Sequence, residues 1–243
     1  MFERPHHQRV VRVLECLDAE LLLRNRCLFG GGTAIALAHG EYRESVDIDL
    51  ICSSVDGYRE LRSLVLKGGI DVLFRTPVQK LRDPRIDQYG IRCALAVDGI
   101  PIKLEIVFEG RVALADPGRG DIIAGVWTLA MEDKVATKLM ANSDRWADDA
   151  MMSRDLIDLA MLTNTGKLEY AGAEKGRRAY GDSVITDLGK AKKHLLSREG
   201  RLKSCMRNMA MLMPEGELRD RIERLDVEKV PAIKPRQSRA QRR

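Results

Sequence analysis

Residues Phe29 to Ile51 read FGGGTAIALAHGEYRESVDIDLI, and the order of features in this stretch decides how the rest of the chain is read. A triple glycine, Gly30, Gly31 and Gly32, leads into a short apolar run from Ala34 to Ala38 with the composition of a helix. After a charged turn, Val46, Ile48 and Leu50 alternate with Asp47 and Asp49. A period of two is the pattern of a strand with one face buried, so both carboxylates are expected on the same face.

Neighbouring carboxylates repel, and one is driven to hold a proton unless a cation lies between them. Hard oxygen ligands of this kind suit Mg²⁺, with Mn²⁺ as the alternative, and such an ion takes one or two carboxylates together with phosphate oxygens and water. Glycines without a Cβ let a bulky anion approach the backbone at a helix start. Each feature alone has a plainer reading, since Asp-x-Asp also suits two solvated carboxylates on a half-exposed strand. Their ordered combination carries more weight than either part.

The stretch resembles the first motif of the polymerase-β-like nucleotidyltransferases, specifically the AbiEii/AbiGii toxin family, where a glycine turn leads to R-x-S-x-D-I-D-L. The match runs through Gly31, Gly32, Thr33 and Ala34 to Arg43, Ser45, Asp47, Ile48, Asp49 and Leu50. Lys103-Leu104-Glu105 matches the family's second motif, Lys138-Leu139-Met140-Ala141 with Arg145 the third, and Arg154-Asp155-Leu156-Ile157-Asp158-Leu159 the last. The resemblance implies that Asp47 and Asp49, with Glu105, hold metal ions, and that Gly31, Gly32, Thr33, Ser45, Arg43, Lys138, Arg145 and Arg154 surround the nucleotide. Lys138 would meet the triphosphate as a point charge, while Asp155 and Asp158 orient cations, base or sugar. It also implies an α+β chain that begins with a nucleotidyltransferase domain built on a mixed sheet; the local patterns place that domain over residues 1–117, an α-helical domain over 118–228 and, from its composition, a disordered basic tail over 229–243.

The local patterns stand beside that resemblance. Val10, Val13, Leu14, Leu17 and Leu21 have helical spacing, which predicts one amphipathic helix from Gln8 to Arg26. Gly40 is placed to end the short helix after the glycines, and Gly68-Gly69 to end another over Asp56 to Lys67. Thr76 to Gln88, with two prolines and several charges, reads as a loop. Ile91 to Val97 and Ile102 to Phe108 flank Asp98-Gly99, a dipeptide suited to a tight hairpin, and Glu105 points away from the apolar set. Glu105 can then be a third carboxylate beside the aspartates, or pair with Lys103 or a cross-strand partner on a solvated face.

Beyond Pro117-Gly118 the patterns are helical. From Thr128 to Asn142, Lys134, Lys138, Ala141 and Arg145 fall along one side, by default a solvated cationic face, beside an apolar stripe of Met131, Val135 and Leu139. Ser153 is placed to cap the next helix, with Asp155 in its first turn. Val184 to Leu196 and Leu202 to Met213 read as further helices.

At 243 residues, with 44% hydrophobic and 32% charged side chains, the chain can bury a sizeable core. No apolar run approaches the length of a membrane span, so no membrane partner is expected, and a start without an apolar signal core favours a cytoplasmic protein. Five scattered cysteines are read as free thiols. The tail from Lys229 to Arg243 carries six basic residues and no acidic one, which suits an arm on RNA phosphates or a solvated end. The expected activity is metal-dependent transfer of an NMP from an NTP to an acceptor such as a tRNA 3′ end, by a toxin with a cognate antitoxin. The rivals are a metal-dependent glycosyltransferase, a protein-nucleotidylating enzyme, and a non-catalytic RNA- or partner-binding module on the same fold.

Overall fold

A computed structural model of the chain describes residues 2–227. Helices α1 (Pro5–Cys16) and α2 (Ala19–Arg24) precede strand β1 (Cys27–Gly30), helix α3 (Gly31–Ala38), strand β2 (Ile48–Cys52) and helix α4 (Val55–Gly68). Strands β3 (Gln79–Lys80), β4 (Arg85–Ile86), β5 (Gly90–Val97) and β6 (Ile100–Phe108) follow, and then a small hairpin of β7 (Ile122–Ile123) and β8 (Val126–Trp127). The rest is α5 (Met131–Arg145), α6 (Arg154–Met161), β9 (Lys167–Leu168), α7 (Tyr170–Tyr180), α8 (Ser183–Leu196), α9 (Arg201–Asn208), α10 (Glu215–Arg224) and β10 (Asp226–Val227). The class is α+β. The basic tail over 229–243 lies outside the described residues.

The main sheet runs β1-β2-β6-β5-β3, with β4 also on β5, and it is mixed: β2 pairs antiparallel with β1 and parallel with β6. Ile48, Leu50, Cys52, Leu104, Ile106, Ile91, Cys93 and Leu95 face one side and are buried with the apolar faces of α1, α2 and α4. A second core gathers α5 to α10. Helix α3 joins the two, since Ala34 and Leu37 enter the first core while Ile35 and Ala36 enter the second. Its mean apolarity on all sides follows from this position, because a helix apolar all round needs neighbours all round.

Several expectations need correction. The first helix is two: Leu17 pairs with Phe74, the Asp18 N–H donates to the Leu73 carbonyl, and the Asp18 carboxylate restarts the helix by accepting from the Leu21 N–H. Tertiary pairing at 73–74 therefore overrides a continuous apolar stripe. Within the expected loop, β3 and β4 add short edge pairings to β5. Val46 is exposed, because the strand begins only at Ile48. Helix α9 stops at Asn208 rather than Met213, where Ala210 turns into the left-handed region.

Other local rules hold. Ser54 caps α4 by accepting from the Gly57 N–H, and Gly69 at φ 73° ends it. Asp98 and Gly99 both have positive φ, so a two-residue turn links β5 and β6 and sets Arg92 opposite Glu105. All five cysteines are free. Among the described residues no helix is long and apolar enough to cross a membrane.

Candidate active site

The polar face of the sheet carries the site. Gly30 is paired with Asp49 across β1 and β2, Asp49 with Glu105 across β2 and β6, and Glu105 with Arg92 across β6 and β5. Four strands thus set two carboxylates and a guanidinium in one row. Asp47 and Lys103, two residues earlier on β2's approach and on β6, continue that face.

A cavity of about 420 Å³ opens over the row. It is lined by the sheet residues Asp47, Asp49, Lys103 and Glu105, by the glycine turn at Gly31, Gly32 and Thr33, and by Lys138 and Arg145 of α5. Arg43, Ser45 and Arg154 complete the set of expected binding residues on its wall. Asp155 and Asp158 are not on the wall; they lie in ion pairs behind it.

That buried network is built from three cations and two carboxylates. Asp158 accepts from Arg43 Nε at 2.7 Å and Nη2 at 2.9 Å, from the Tyr42 hydroxyl at 2.6 Å, and pairs with Lys138 at 2.6 Å. Asp155 pairs with Lys138 at 2.9 Å and with Arg145 Nε at 2.6 Å. Burial opposes every charge here, but the ion pairs outweigh it: Asp155 and Asp158 are held below the usual carboxylate range, and Lys138 and Arg43 above their ordinary values. The face expected to be a solvated row is in fact buried at Lys134, which pairs with Asp121, and at Lys138.

The expected Ser153 cap is absent. Ser153 sits at φ 51° without a capping bond, and the Asp155 carboxylate turns to Lys138 and Arg145 instead of the helix end. A buried cation attracts a carboxylate more strongly than partial charges at a helix terminus do.

The Asp47 and Asp49 carboxylates differ from this network in having no ion pair or hydrogen bond among the described residues. Burial raises the Asp49 carboxyl above its ordinary range and the Asp47 charge adds to that, while Lys138 and Lys103 pull the other way. The glycines make room for these groups. A Cβ on Gly31, at φ 68°, would run into the Asp49 carboxylate, and one on Gly32 into the Arg43 guanidinium. Glycine here serves the protein's own side chains as well as any approaching anion.

Glu105 is the exception among the carboxylates on the wall. Its oxygens are taken by Arg92 Nε at 2.5 Å and Lys103 Nζ at 2.6 Å, and its side chain is only 13% exposed. Glu105 thus stands beside Asp49 in the register and is paired with Lys103 and its cross-strand partner Arg92, though not on a solvated face. Among the described residues no three carboxylate, histidine or cysteine side chains are gathered closely enough to hold a metal. The residues that fit a hard divalent cation are Asp47 and Asp49, a two-carboxylate set that leaves positions for phosphate oxygens and water.

Sequence reasoning missed four contributors. Arg92 could have been found by counting the register back from the Asp98-Gly99 turn. Glu109 and Arg111, which pair at 2.6 Å on the cavity's far rim, had no motif to mark them. His7, fully buried in α1, accepts from the Ser45 N–H and meets Glu41 Oε1 at 2.7 Å, so the first helix holds the loop before Asp47. Ser45 and Thr33 hydrogen-bond to each other at 2.8 Å.

Two solved structures share this fold. The crystal structure of a candidate nucleotidyltransferase from H. pylori aligns with a TM-score of 0.51 at 18% identity, covering 89% of each chain. That of JHP933 from Helicobacter pylori aligns with a TM-score of 0.52 at 17% identity, covering 91% of this chain and 90% of the other. No curated protein matches the chain. The model of the AbiEii family, the nucleotidyl transferase toxins of type IV TA systems, matches residues 12–232, and the chain belongs to that family.

Proposed function

We propose that this protein transfers an NMP from an NTP to an acceptor hydroxyl, that the acceptor is RNA such as a tRNA 3′ end, and that the reaction makes it the toxin of a cytoplasmic toxin-antitoxin or abortive-infection pair. The observation that carries this reading is the Asp47 and Asp49 pair, which has no ion pair among the described residues, in one cavity with Arg43, Lys138 and Arg145. Carboxylates without partners await a cation, and cations along the same wall suit phosphate.

Asp47 and Asp49 would hold Mg²⁺ or Mn²⁺, which when bound neutralises charge on the phosphates. The chain's own groups do the rest. Arg43, Lys138 and Arg145, fixed by Asp155 and Asp158, present positive charge without having to reorganise, which is how preorganised electrostatics lowers a barrier. Asp155 and Asp158 are positioning residues, since they act through those cations. The acceptor oxygen bonds to the α-phosphorus as the bond to pyrophosphate breaks, and the hydroxyl proton is released to solvent. Lys103 and Arg92 hold Glu105, so Glu105 joins the metal set only when Lys103 turns to phosphate.

The test is incubation with each α-³²P-labelled NTP, Mg²⁺ and total RNA, for wild type and Asp47→Ala/Asp49→Ala. Label in one RNA size class with wild type alone is the expected result. Label on protein instead moves the acceptor to a side-chain hydroxyl, and no label anywhere favours a binding module.

A further inference from the structure

A second cavity, of about 510 Å³, opens on the other side of the segment that carries Asp47. Val46, Met151, Met152, Asn208 and Met209 line it together with the exposed carboxylate of Glu44, and none of these reaches the first cavity. Arg43, Ser45, Asp47 and Arg154 line both, so one wall separates the two spaces and Asp47 stands in it.

Arg154 differs from the other cations of the site. Arg43, Lys138 and Arg145 each have carboxylate partners. Arg154 is half-buried, has no carboxylate within ion-pair distance among the described residues, and donates only to the Met151 sulfur at 3.6 Å. It is carried by a turn in which Met152 and Ser153 both hold left-handed φ values, 53° and 51°. Consecutive strained non-glycine residues persist only where the surroundings impose them. Beyond Asn208, the exposed Arg207 and Lys203 lie four apart on α9 and extend a positive edge away from the cavity.

We propose that this second cavity is the acceptor site and that it takes the terminal nucleotide of an RNA strand. The inference rests on the nucleotidyl-transfer reading of the first cavity. Arg154 holds the last phosphodiester, the methionines give an apolar and adaptable shelf for the terminal base, and the Asn208 amide, whose nitrogen donates to the Ser204 carbonyl at 2.8 Å, offers its oxygen as an acceptor to the base edge. The terminal ribose hydroxyl then meets the α-phosphate at the wall shared by the two cavities: its oxygen bonds to phosphorus, pyrophosphate leaves into the first cavity, and the hydroxyl proton is released to solvent. An arginine without a carboxylate partner among the described residues, beside the exposed Arg207 and Lys203, suits a polyanionic strand better than a protein side chain.

The experiment combines a map with two blocking variants. An oligoribonucleotide ending in 4-thiouridine is photo-cross-linked to the wild-type protein and the adducts located by mass spectrometry, with adducts on residues 150–154 or 207–209 expected. Ala150→Trp and Asn208→Trp, both on exposed lining positions, are expected to raise the KM for RNA at least tenfold while the Kd of a fluorescent NTP analogue stays within twofold. Two variants from different elements guard against one misfolding. Adducts confined to other surfaces, or both variants using RNA with wild-type KM, overturn the acceptor site and leave the transfer reading intact. Wild-type label on protein or a small hydroxyl but not on RNA overturns the RNA occupant. Absence of label on any acceptor overturns the transfer reading, and the acceptor site with it.

Discussion

Two pairs of aspartates in this protein share a chemistry and differ in their surroundings. Asp155 and Asp158, three apart on α6, are almost fully buried and are answered by Arg43, Lys138 and Arg145. Asp47 and Asp49, two apart at the entry to β2, line a cavity and have no ion-pair partner among the described residues. The first pair has its charge satisfied by the fold and so serves the fold. Leaving the second pair unsatisfied costs stability, and that cost points to a ligand outside the chain.

Removing a member of the satisfied pair should have the largest effect. Asp158→Ala leaves Arg43 and Lys138 buried with too few anions, and breaking a buried pair in this way costs about 3–5 kcal/mol. Thermal or denaturant unfolding measures this, and a loss below about 1 kcal/mol would mean that the network does not stabilise the helical core against the sheet.

Asp49→Asn should invert that result. Transfer is expected to fall about 10²–10³-fold, or roughly 3–4 kcal/mol of barrier, while stability holds or rises as like-charge repulsion is relieved. An unfolding midpoint below that of wild type would show that Asp49 has a structural partner after all.

Gly31→Ala lies between the two regions. The residue sits at φ 68° and a Cβ would meet the Asp49 carboxylate, so a loss of about 1–3 kcal/mol is expected together with weaker divalent-cation binding. Isothermal titration with Mg²⁺ separates the two effects, and unchanged affinity would show that Asp49 adjusts freely.

The smallest effect concerns pH. Burial lowers the His7 pKa from its ordinary value, against the pull of Glu41. The unfolded chain therefore binds the proton more readily, so the neutral ring's contribution is complete above about pH 6.5 and fades as pH falls toward the folded-state value. Stability measured from pH 7 down to 5 should decline, with a slope of at most about 1.4 kcal/mol per pH unit from this one proton, and His7→Gln should flatten it. An unaltered slope in the variant would assign the decline to other groups.

Much of the fold was legible because its signals are local. The Asp98-Gly99 turn states its own backbone geometry, the alternation in Ile102 to Phe108 states which side faces the core, and Ser54 and Gly69 mark the ends of one helix. The break at Leu17-Asp18 was not legible, because its cause is a strand-like contact with Phe74 that lies 57 positions further on (74 − 17). The burial of Lys134 and Lys138 was hidden in the same way, since their carboxylate partners come from other elements.

The amino-acid sequence by itself determined which chemical groups are candidates here: a glycine turn, two aspartates two residues apart, a carboxylate on a hairpin, and cations and aspartates at helical spacing. Tertiary structure alone decided which charges were already answered. It gave Glu105 to Arg92 and Lys103, gave Asp158 to Arg43, Tyr42 and Lys138, and left Asp47, Asp49 and Arg154 without ionic partners among the described residues. The physical reason is range. Spacing along a strand or helix sets where a side chain points, but the free energy of a charge depends on which others the fold brings within a few ångströms of it, and those come from distant parts of the chain.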